Sequence, residues 1–174
     1  MITPEQMQTV MPFAETRIPI YLQPLIDSME EFNIATARRR SCFLAQVAHE
    51  SGELRYMAEL SSGVQYEMRS DLGNTESGDG PKYKGRGLLQ ATGRAMYVQL
   101  ARALGIDVIN QPELLEQPIP ACRSAAWIWS TVKGCNDLAD KDLFGSITHR
   151  INGGYLGLDS RISYWIRARK VEGL

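Results

Sequence analysis

The spacing of apolar residues predicts a mainly helical protein, because apolar side chains recur every three or four positions over most of the chain. Residues 18–32 show this pattern clearly on one helical face. Thr3 followed by Pro4 predicts the start of an N-terminal helix. We expect further helices at residues 36–49, 96–104, 120–132, 143–151 and 159–171. The last two begin near aspartates, which we expect to cap them.

Residues 61–84 break the helical pattern, since Gly63, Gly73, Gly78 and Pro81 crowd into this stretch and exclude a long helix. We expect loops with a short hairpin there. The predicted fold class is therefore mainly α: a helical body with a small irregular or β-containing lobe and a substrate groove between them. The length of 174 residues predicts a single domain over residues 1–174.

Composition argues against several classes of partner. The formal net charge is -1, so no strong field attracts nucleic acid or anionic lipid. No stretch approaches the roughly 18 apolar residues of a membrane span, and the N-terminus lacks the features of a secretory signal. We expect no nucleic-acid partner and no stable membrane insertion.

The metal-binding residue types are scattered. Cys42, Cys122 and Cys135 are an odd number at wide spacing, which predicts reduced thiols and fits no disulfide scaffold. His49 and His149 are far apart and have no matching acidic or cysteine cluster. We therefore expect no metal site.

Glu50 is the first candidate for chemistry. Phe43, Val47 and Glu50 stand at positions i, i+4 and i+7, so this carboxyl group continues an apolar helix face. Burial and the negative end of the helix dipole both favour a protonated carboxyl, which is the form a general acid needs. The alternative is a helix-end residue bonded to the backbone or to an arginine.

Glu59 is the candidate partner. In an unbroken helix it would lie ~13.5 Å farther along the axis than Glu50 and on the opposite side. The chain must therefore turn if both act on one substrate, and Gly52 supplies the break. Taken alone, Glu59 is interpreted as a surface glutamate. Glu53, beside Gly52, is expected to be solvated.

Two other acids compete with Glu59. Glu67 is the alternative base, although Arg69 two positions later favours a structural ion pair instead. Asp71 is the other competitor. Trp127 and Trp129 fall in an apolar helix and are expected in the core. His49 either orients the substrate or carboxylate or is an ordinary hydrogen-bonded helix residue.

Glycines near residue 86 predict a close approach of the backbone to a ligand. Gly85 and Gly87 permit that approach, and Gln90 and Thr92 present an amide and a hydroxyl beyond them. Asn152, which precedes two glycines, is either a helix C-cap or a ligand donor.

Together these segments resemble glycoside hydrolase family 19, and within it the compact phage and prophage lysozymes. The matching segments follow the family's order from about residue 35 to residue 170. They are FLAQVAHESG from position 43, YEMRSDLGNT from 66, SGDG from 77, YKGRGLLQ from 83, SAAWIW from 124, INGG from 151 and DSR from 159.

The resemblance implies a lysozyme-like α+β fold that hydrolyses β-1,4 bonds of chitin or peptidoglycan with inversion and without a cofactor. It makes Glu50 the general acid and Glu59 the general base, and it gives Thr92 a part in holding the attacking water. Supporting or sugar-binding roles are implied for Gln90, Asn152 and Arg161. Tyr66 and Tyr83, aromatic residues near the carboxylates, could stack on sugar rings. The sequence departs from the family pattern at Glu53, Met68 and Met96.

The same resemblance implies an endolysin that cleaves between N-acetylmuramic acid and N-acetylglucosamine. We expect a monomer made in the host cytoplasm that reaches the cell wall through a holin-type membrane lesion. The alternatives are a chitinase, a lytic transglycosylase, and an inactive glycan-binding or structural protein.

Overall fold

The computed structural model describes residues 2–174, and most of them form α-helices. No helix in this range is both long and apolar enough to cross a membrane. The helices are α1 (Pro4–Val10), α2 (Ile18–Glu31), α3 (Ala37–Glu50), α4 (Asp79–Lys82), α5 (Arg94–Leu104), α6 (Pro118–Trp127), α7 (Cys135–Asp140), α8 (Phe144–Asn152) and α9 (Leu158–Val171). Short 3-10 helices cover Val64–Tyr66, Ser70–Leu72 and Pro112–Glu116, and a π-helical turn, Ile128–Val132, continues α6.

Local sequence signals set several helix ends as predicted. Thr3 and Gln6 form a reciprocal capping box at the start of α1, and the Thr36 hydroxyl accepts a hydrogen bond from Arg39 N at the start of α3. Gly105 ends α5 in the left-handed conformation, with φ of 67°. These signals act within one turn of helix and therefore appear in the sequence.

The predicted aspartate caps are wrong. Leu143 and Gly157 precede α8 and α9, and neither helix has a side-chain cap. Asp142 instead forms ion pairs with Arg38 and Arg169. Its partners come from α3 and α9, so the Asp142 carboxylate forms tertiary ion pairs instead of capping α8.

The stretch between α3 and α5 is irregular, as predicted, but its β content is minimal. Arg86 forms isolated antiparallel bridges with Ala58 and with Ala91, and no longer hairpin develops within residues 2–174. The bridges nevertheless attach the segment after α3 to the segment before α5. This lobe carries Glu59, whereas the helical body carries Glu50.

Helix α3 runs through the main core. Every side chain from position 41 to position 48 is buried, and α9 and α7 pack against this helix. A second apolar cluster includes Tyr83, Tyr97 and Leu100. Trp129 is fully buried and Trp127 nearly so, which confirms their predicted place in the core. The three cysteines are free and buried, as expected.

Candidate active site

Glu50 is the last residue of α3 and forms an ion pair with Arg161 of α9. The distance from Arg161 Nη2 to Glu50 Oε1 is 2.6 Å, and the two side chains are 1% and 19% exposed, respectively. The apolar face predicted for this helix is present, since Phe43 and Val47 are buried below. An arginine partner for Glu50 is the alternative that the sequence left open, although no local signal identified Arg161, 111 positions away, as that partner.

Further hydrogen bonds fix the position of Arg161. Its Nη1 bonds to Gln46 Oε1, and its Nε donates to the Leu156 carbonyl at 3.2 Å. Gln46 in turn donates to the Thr148 hydroxyl at 2.9 Å. A buried guanidinium needs such partners, because an unsatisfied charge in the interior is costly. The network joins α3, α8 and α9 behind Glu50.

The chain reverses directly after Glu50, as predicted. Gly52, Glu53 and Leu54 have φ values of 55°, 58° and 66°, a run of left-handed residues that cannot continue a right-handed helix. Ser51 Oγ accepts a hydrogen bond from Leu54 N at 2.8 Å, and the Leu54 side chain is buried. These contacts direct the chain into the irregular lobe.

Backbone contacts hold Glu59 in that lobe. Its N–H donates to the Gly85 carbonyl at 2.9 Å. Lys84 Nζ donates to the carbonyls of Glu59 and Ser61, both at 3.1 Å. The ammonium group therefore bridges the carbonyls of Glu59 and Ser61 and restrains the backbone that carries the Glu59 carboxylate.

Uncharged donors surround the Glu59 carboxylate. Ser61 Oγ donates to Oε1 at 2.7 Å, and Gln65 Nε2 donates to Oε1 at 3.3 Å. Tyr66 OH donates to Oε2 at 2.9 Å. Burial and, secondly, the bond to Glu59 raise the pKa of Tyr66, so the phenol keeps the proton it donates. Tyr66 thus positions the Glu59 carboxylate. The prediction of sugar stacking did not include this role.

Gln90 and Thr92 lie beside Glu59 around Gly85. A Cβ added to Gly85 would be 2.8 Å from Gln90 Oε1, 3.0 Å from Glu59 Oε2 and 3.3 Å from Thr92 Oγ1. The Thr92 hydroxyl donates to the Gln90 carbonyl at 3.0 Å, and Gln90 Oε1 is buried without a hydrogen-bond partner. Gly85 therefore brings three predicted site residues together, and the approach of its backbone to a ligand stays a prediction.

His49 is placed against the loop before α9. Its Nδ1 lies 3.1 Å from Ser160 Oγ, and its ring is so close to Gly157 that an added Cβ would be 2.4 Å from Cε1. Burial and, secondly, nearby Arg161 lower the pKa of His49, which favours the neutral ring at pH 7. His49 therefore packs beside the Glu50–Arg161 pair and is hydrogen-bonded, which agrees with the prediction of an ordinary hydrogen-bonded helix residue.

Asn152 is the last residue of α8, and its side chain is exposed. Gly153, with φ of 81°, is the C-cap, and its N–H bonds to the His149 carbonyl. Capping is therefore done by the glycine backbone. The Asn152 amide stays on the surface, where it is accessible to a ligand.

Three other expectations are corrected. Glu67 accepts hydrogen bonds from the N–H groups of Gly78 at 2.6 Å and Gly80 at 2.8 Å, so it clamps a loop and the structure does not favour it as a base. It also lacks the predicted ion pair, since Arg69 pairs with Asp71 at 2.6 Å. Tyr83 is fully buried beside Tyr97, so the prediction that it stacks on a sugar is wrong.

Glu53 is the third correction, because it is 4% exposed and is not solvated. Its carboxylate accepts hydrogen bonds from Phe13 N at 2.6 Å and Tyr164 OH at 2.8 Å. Both partners are remote in sequence, so no local signal indicated them. Sequence reasoning also missed Ser61, Gln65 and Lys84, although all three are polar residues close in sequence to Glu59 or Gly85.

The arrangement offers two carboxyl groups in different environments. Glu50 has a buried cation as its partner, and Glu59 has uncharged donors. Within residues 2–174 no cluster of three or more His, Cys, Asp or Glu side chains could hold a metal ion. Carboxyl pairs with contrasting surroundings are typical of general acid–base catalysis.

Comparison with known proteins defines the class. Residues 32–152 match the model of glycoside hydrolase family 19, chitinase class I. The chain belongs to this family and is chitinase-like. The predicted family resemblance and the mainly helical, lysozyme-like fold are confirmed.

Individual relatives agree with this assignment. A glycosyl hydrolase family 19 domain-containing protein of Haemophilus influenzae is 29% identical, over 80% of this chain and 82% of that protein. An endochitinase of Arabidopsis thaliana is 27% identical over 84% of this chain, which spans only 53% of the plant protein. A bacterial family 19 chitinase aligns with a TM-score of 0.83 and 25% identity, covering 99% of this chain and 95% of its own.

Proposed function

We propose that this glycoside hydrolase acts on peptidoglycan as an endolysin, hydrolysing the β-1,4 bond between N-acetylmuramic acid and N-acetylglucosamine. The single observation that carries the catalytic part is the contrast between Glu50, paired with buried Arg161, and Glu59, held by Tyr66. The choice of polymer is supported by the resemblance of the sequence motifs to the compact phage and prophage lysozymes.

In the proposed mechanism, the Glu50 carboxyl donates a proton to the glycosidic oxygen. The Glu59 carboxylate removes a proton from a water molecule that attacks the anomeric carbon from the opposite face. This displacement inverts the configuration and needs room for the water, which corresponds to carboxyl groups about 6.5–9.5 Å apart. The leaving sugar departs with the proton from Glu50, and water supplies the new hydroxyl group.

The neighbours of Glu59 have positioning roles in this mechanism. The two Glu59 oxygens accept hydrogen bonds from Tyr66, Ser61 and Gln65. These bonds restrict the orientation in which the carboxylate can approach the attacking water. Because the Thr92 hydroxyl proton is directed to the Gln90 carbonyl, the Thr92 oxygen is available to accept a hydrogen bond from that water. Gln90 Oε1, which is buried without a hydrogen-bond partner, lies beside Glu59 and Thr92 around Gly85.

Analysis of digested peptidoglycan tests the proposal. Mass spectrometry of borohydride-reduced fragments should show N-acetylmuramic acid at the new reducing ends. N-Acetylglucosamine there would contradict the assigned bond, and anhydro sugars would indicate a lytic transglycosylase. Glu50→Gln is the matched control, because release of the same fragments by that variant would implicate a contaminant.

Chitin hydrolysis is the second candidate, favoured by the structural likeness to a chitinase over 99% of the chain. Initial rates on chitin oligosaccharides and on outer-membrane-permeabilised cells compare the two polymers directly. Faster chitin cleavage would replace the proposed substrate. Saccharide binding without any release of reducing ends would instead indicate an inactive glycan-binding protein.

We also propose that the protein is a monomer, that it is made in the host cytoplasm, and that a holin-type membrane lesion releases it. Expression in bacterial cells tests the route. Lysis should require co-expression of a pore-forming holin, and lysis without one would contradict the proposed release. Sedimentation of the purified protein tests the monomer.

A further inference from the structure

The turn between Glu50 and Glu59 also lines a pocket that the proposed mechanism does not use. This pocket has a volume of about 410 Å³, and its lining includes Arg17, Gly52, Arg55 and Tyr56. Gly52 comes two positions after Glu50, and Tyr56 comes three positions before Glu59. The pocket therefore adjoins, along the chain, both carboxyl groups of the candidate active site.

Arginines collect at this pocket without carboxylate partners. Most arginines of the protein form ion pairs, but the two in the pocket lining, Arg17 and Arg55, have none among residues 2–174. Arg17 Nε donates to the Glu53 carbonyl at 3.0 Å. Arg55 lies over the Tyr56 ring at 5.2 Å. The charges of these two arginines are thus available to an anionic ligand.

Glu53 is the acidic residue in the pocket lining, and it does not neutralise these charges. Its oxygens accept hydrogen bonds from Phe13 N and Tyr164 OH, and no arginine forms an ion pair with it in the part of the chain that the structure describes. The lining holds this one carboxylate and two arginines, so positive charge is in excess. Such an excess beside a cleft attracts anions and orients them.

The pocket also offers apolar surface next to its charges. Phe13 is 81% exposed and Tyr56 is 37% exposed. Exposed aromatic rings beside guanidinium groups suit a ligand that carries both carboxylates and aliphatic groups. A plain chain of N-acetylglucosamine carries no carboxylate, so a chitin strand would leave these arginines unused.

We propose that this pocket binds the acidic stem peptide of peptidoglycan, an inference that rests on the proposed substrate. The stem peptide is attached to the lactyl group of N-acetylmuramic acid and contains alanine methyl groups, the carboxylate of D-glutamate and a C-terminal carboxylate. Cleavage next to that sugar brings the start of the peptide close to Glu50 and Glu59. The pocket would then favour substituted strands over bare ones.

The test compares kcat/KM on peptidoglycan strands with intact stems and on strands stripped by an amidase, at low ionic strength. Arg55→Gln should lower the ratio of kcat/KM on intact strands to kcat/KM on stripped strands by about threefold, which is the effect of one exposed charge pair. Arg102→Gln is the matched control, because Arg102 is an exposed arginine on α5 and is remote in sequence from the pocket lining. An unchanged ratio in Arg55→Gln, or an equal fall in both variants, would overturn the proposal.

A binding measurement separates this inference from the proposed function. Free stem tetrapeptide, titrated into the isotope-labelled protein, should shift NMR signals of Tyr56 and Tyr164, and Arg55→Gln should weaken that binding. Peptide binding without peptidoglycan hydrolysis would refute the proposed function alone. Hydrolysis without shifts at either tyrosine would refute the pocket alone.

Discussion

Arg161 and Glu50 form an ion pair in which the cation is almost completely buried and the carboxylate lies at the edge of solvent. Their 2.6 Å contact joins the end of α3 to α9, and Gln46 shares the same guanidinium. The two partners therefore differ in what they contribute: the cation organises the interior, whereas the carboxylate faces the position proposed for the substrate.

Replacing Arg161 should lower stability as well as activity. Arg161→Met leaves Gln46 and the Leu156 carbonyl without a partner, while Glu50 regains some solvation, so we expect a loss of about 2 kcal/mol in unfolding free energy. Thermal unfolding should shift down by about 4–8 °C. The control is Arg69→Met, whose exposed pair with Asp71 contributes little; equal shifts would contradict the account.

The choice of base is tested by two isosteric variants. Glu59→Gln should lower kcat by about 10²–10⁴, the usual loss when a general base is removed, and leave the fold intact. Glu67→Gln should keep most of the activity, because the Glu67 carboxylate is bonded to the N–H groups of Gly78 and Gly80. The reverse pattern of rates would assign the base to Glu67.

Gly157 is the residue at which a single methyl group should disturb the site. Gly157→Ala introduces strain at φ of 71° and a Cβ 2.4 Å from the His49 ring, so His49 and the start of α9 must move. Gly105→Ala isolates the backbone effect, because Gly105 has φ of 67° and open space around it. We expect Gly157→Ala to be the less stable and less active of the two in thermal and turbidity assays; equal effects would exclude the steric contact with His49.

Stability should fall in acid through Asp79. Hydrogen bonds from Arg94, opposed by burial, lower the pKa of Asp79 below 3.8, and its side chain is 2% exposed. A lowered carboxyl pKa stabilises the fold above the unfolded value, and this contribution is lost as pH falls through the folded value. Asp79→Asn should therefore flatten the decline of the melting temperature at and below pH 3.8.

Asp71→Asn serves as the control for that experiment. The pKa of Asp71 is also lowered, mainly by Arg69, but this pair is on the surface and contributes little to stability. Its melting curve against pH should follow that of the wild type. A flattened curve for Asp71→Asn, together with an unchanged curve for Asp79→Asn, would contradict the assignment.

Local chemistry explains what the sequence could predict. The helix start at Thr36, the helix end before Gly105 and the turn at Gly52 depend on neighbours within a few residues, and each appears in the structure. The apolar spacing on α3 likewise indicated that Glu50 borders the core. These features depend only on backbone conformation and helical periodicity.

Distant contacts explain the errors. Glu53 is bonded to Tyr164, 111 positions away, and Tyr83 packs on Tyr97 in the second apolar cluster. In both cases, the sequence next to the buried residue contains no pattern that indicates its partner. The family model that matches residues 32–152 establishes the family, but the ion pair of Glu50 and the donors around Glu59 appear only in the three-dimensional structure.

The anomeric form of the first product tests the central claim that Glu50 and Glu59 act on opposite faces of one sugar bond. Proton NMR of a soluble oligosaccharide substrate, recorded within minutes of adding enzyme, should show the new reducing end as the α-anomer before mutarotation. Glu50→Gln provides the blank. An initial β-anomer would mean retention, and it would exclude Glu59 as the base that activates water for direct attack.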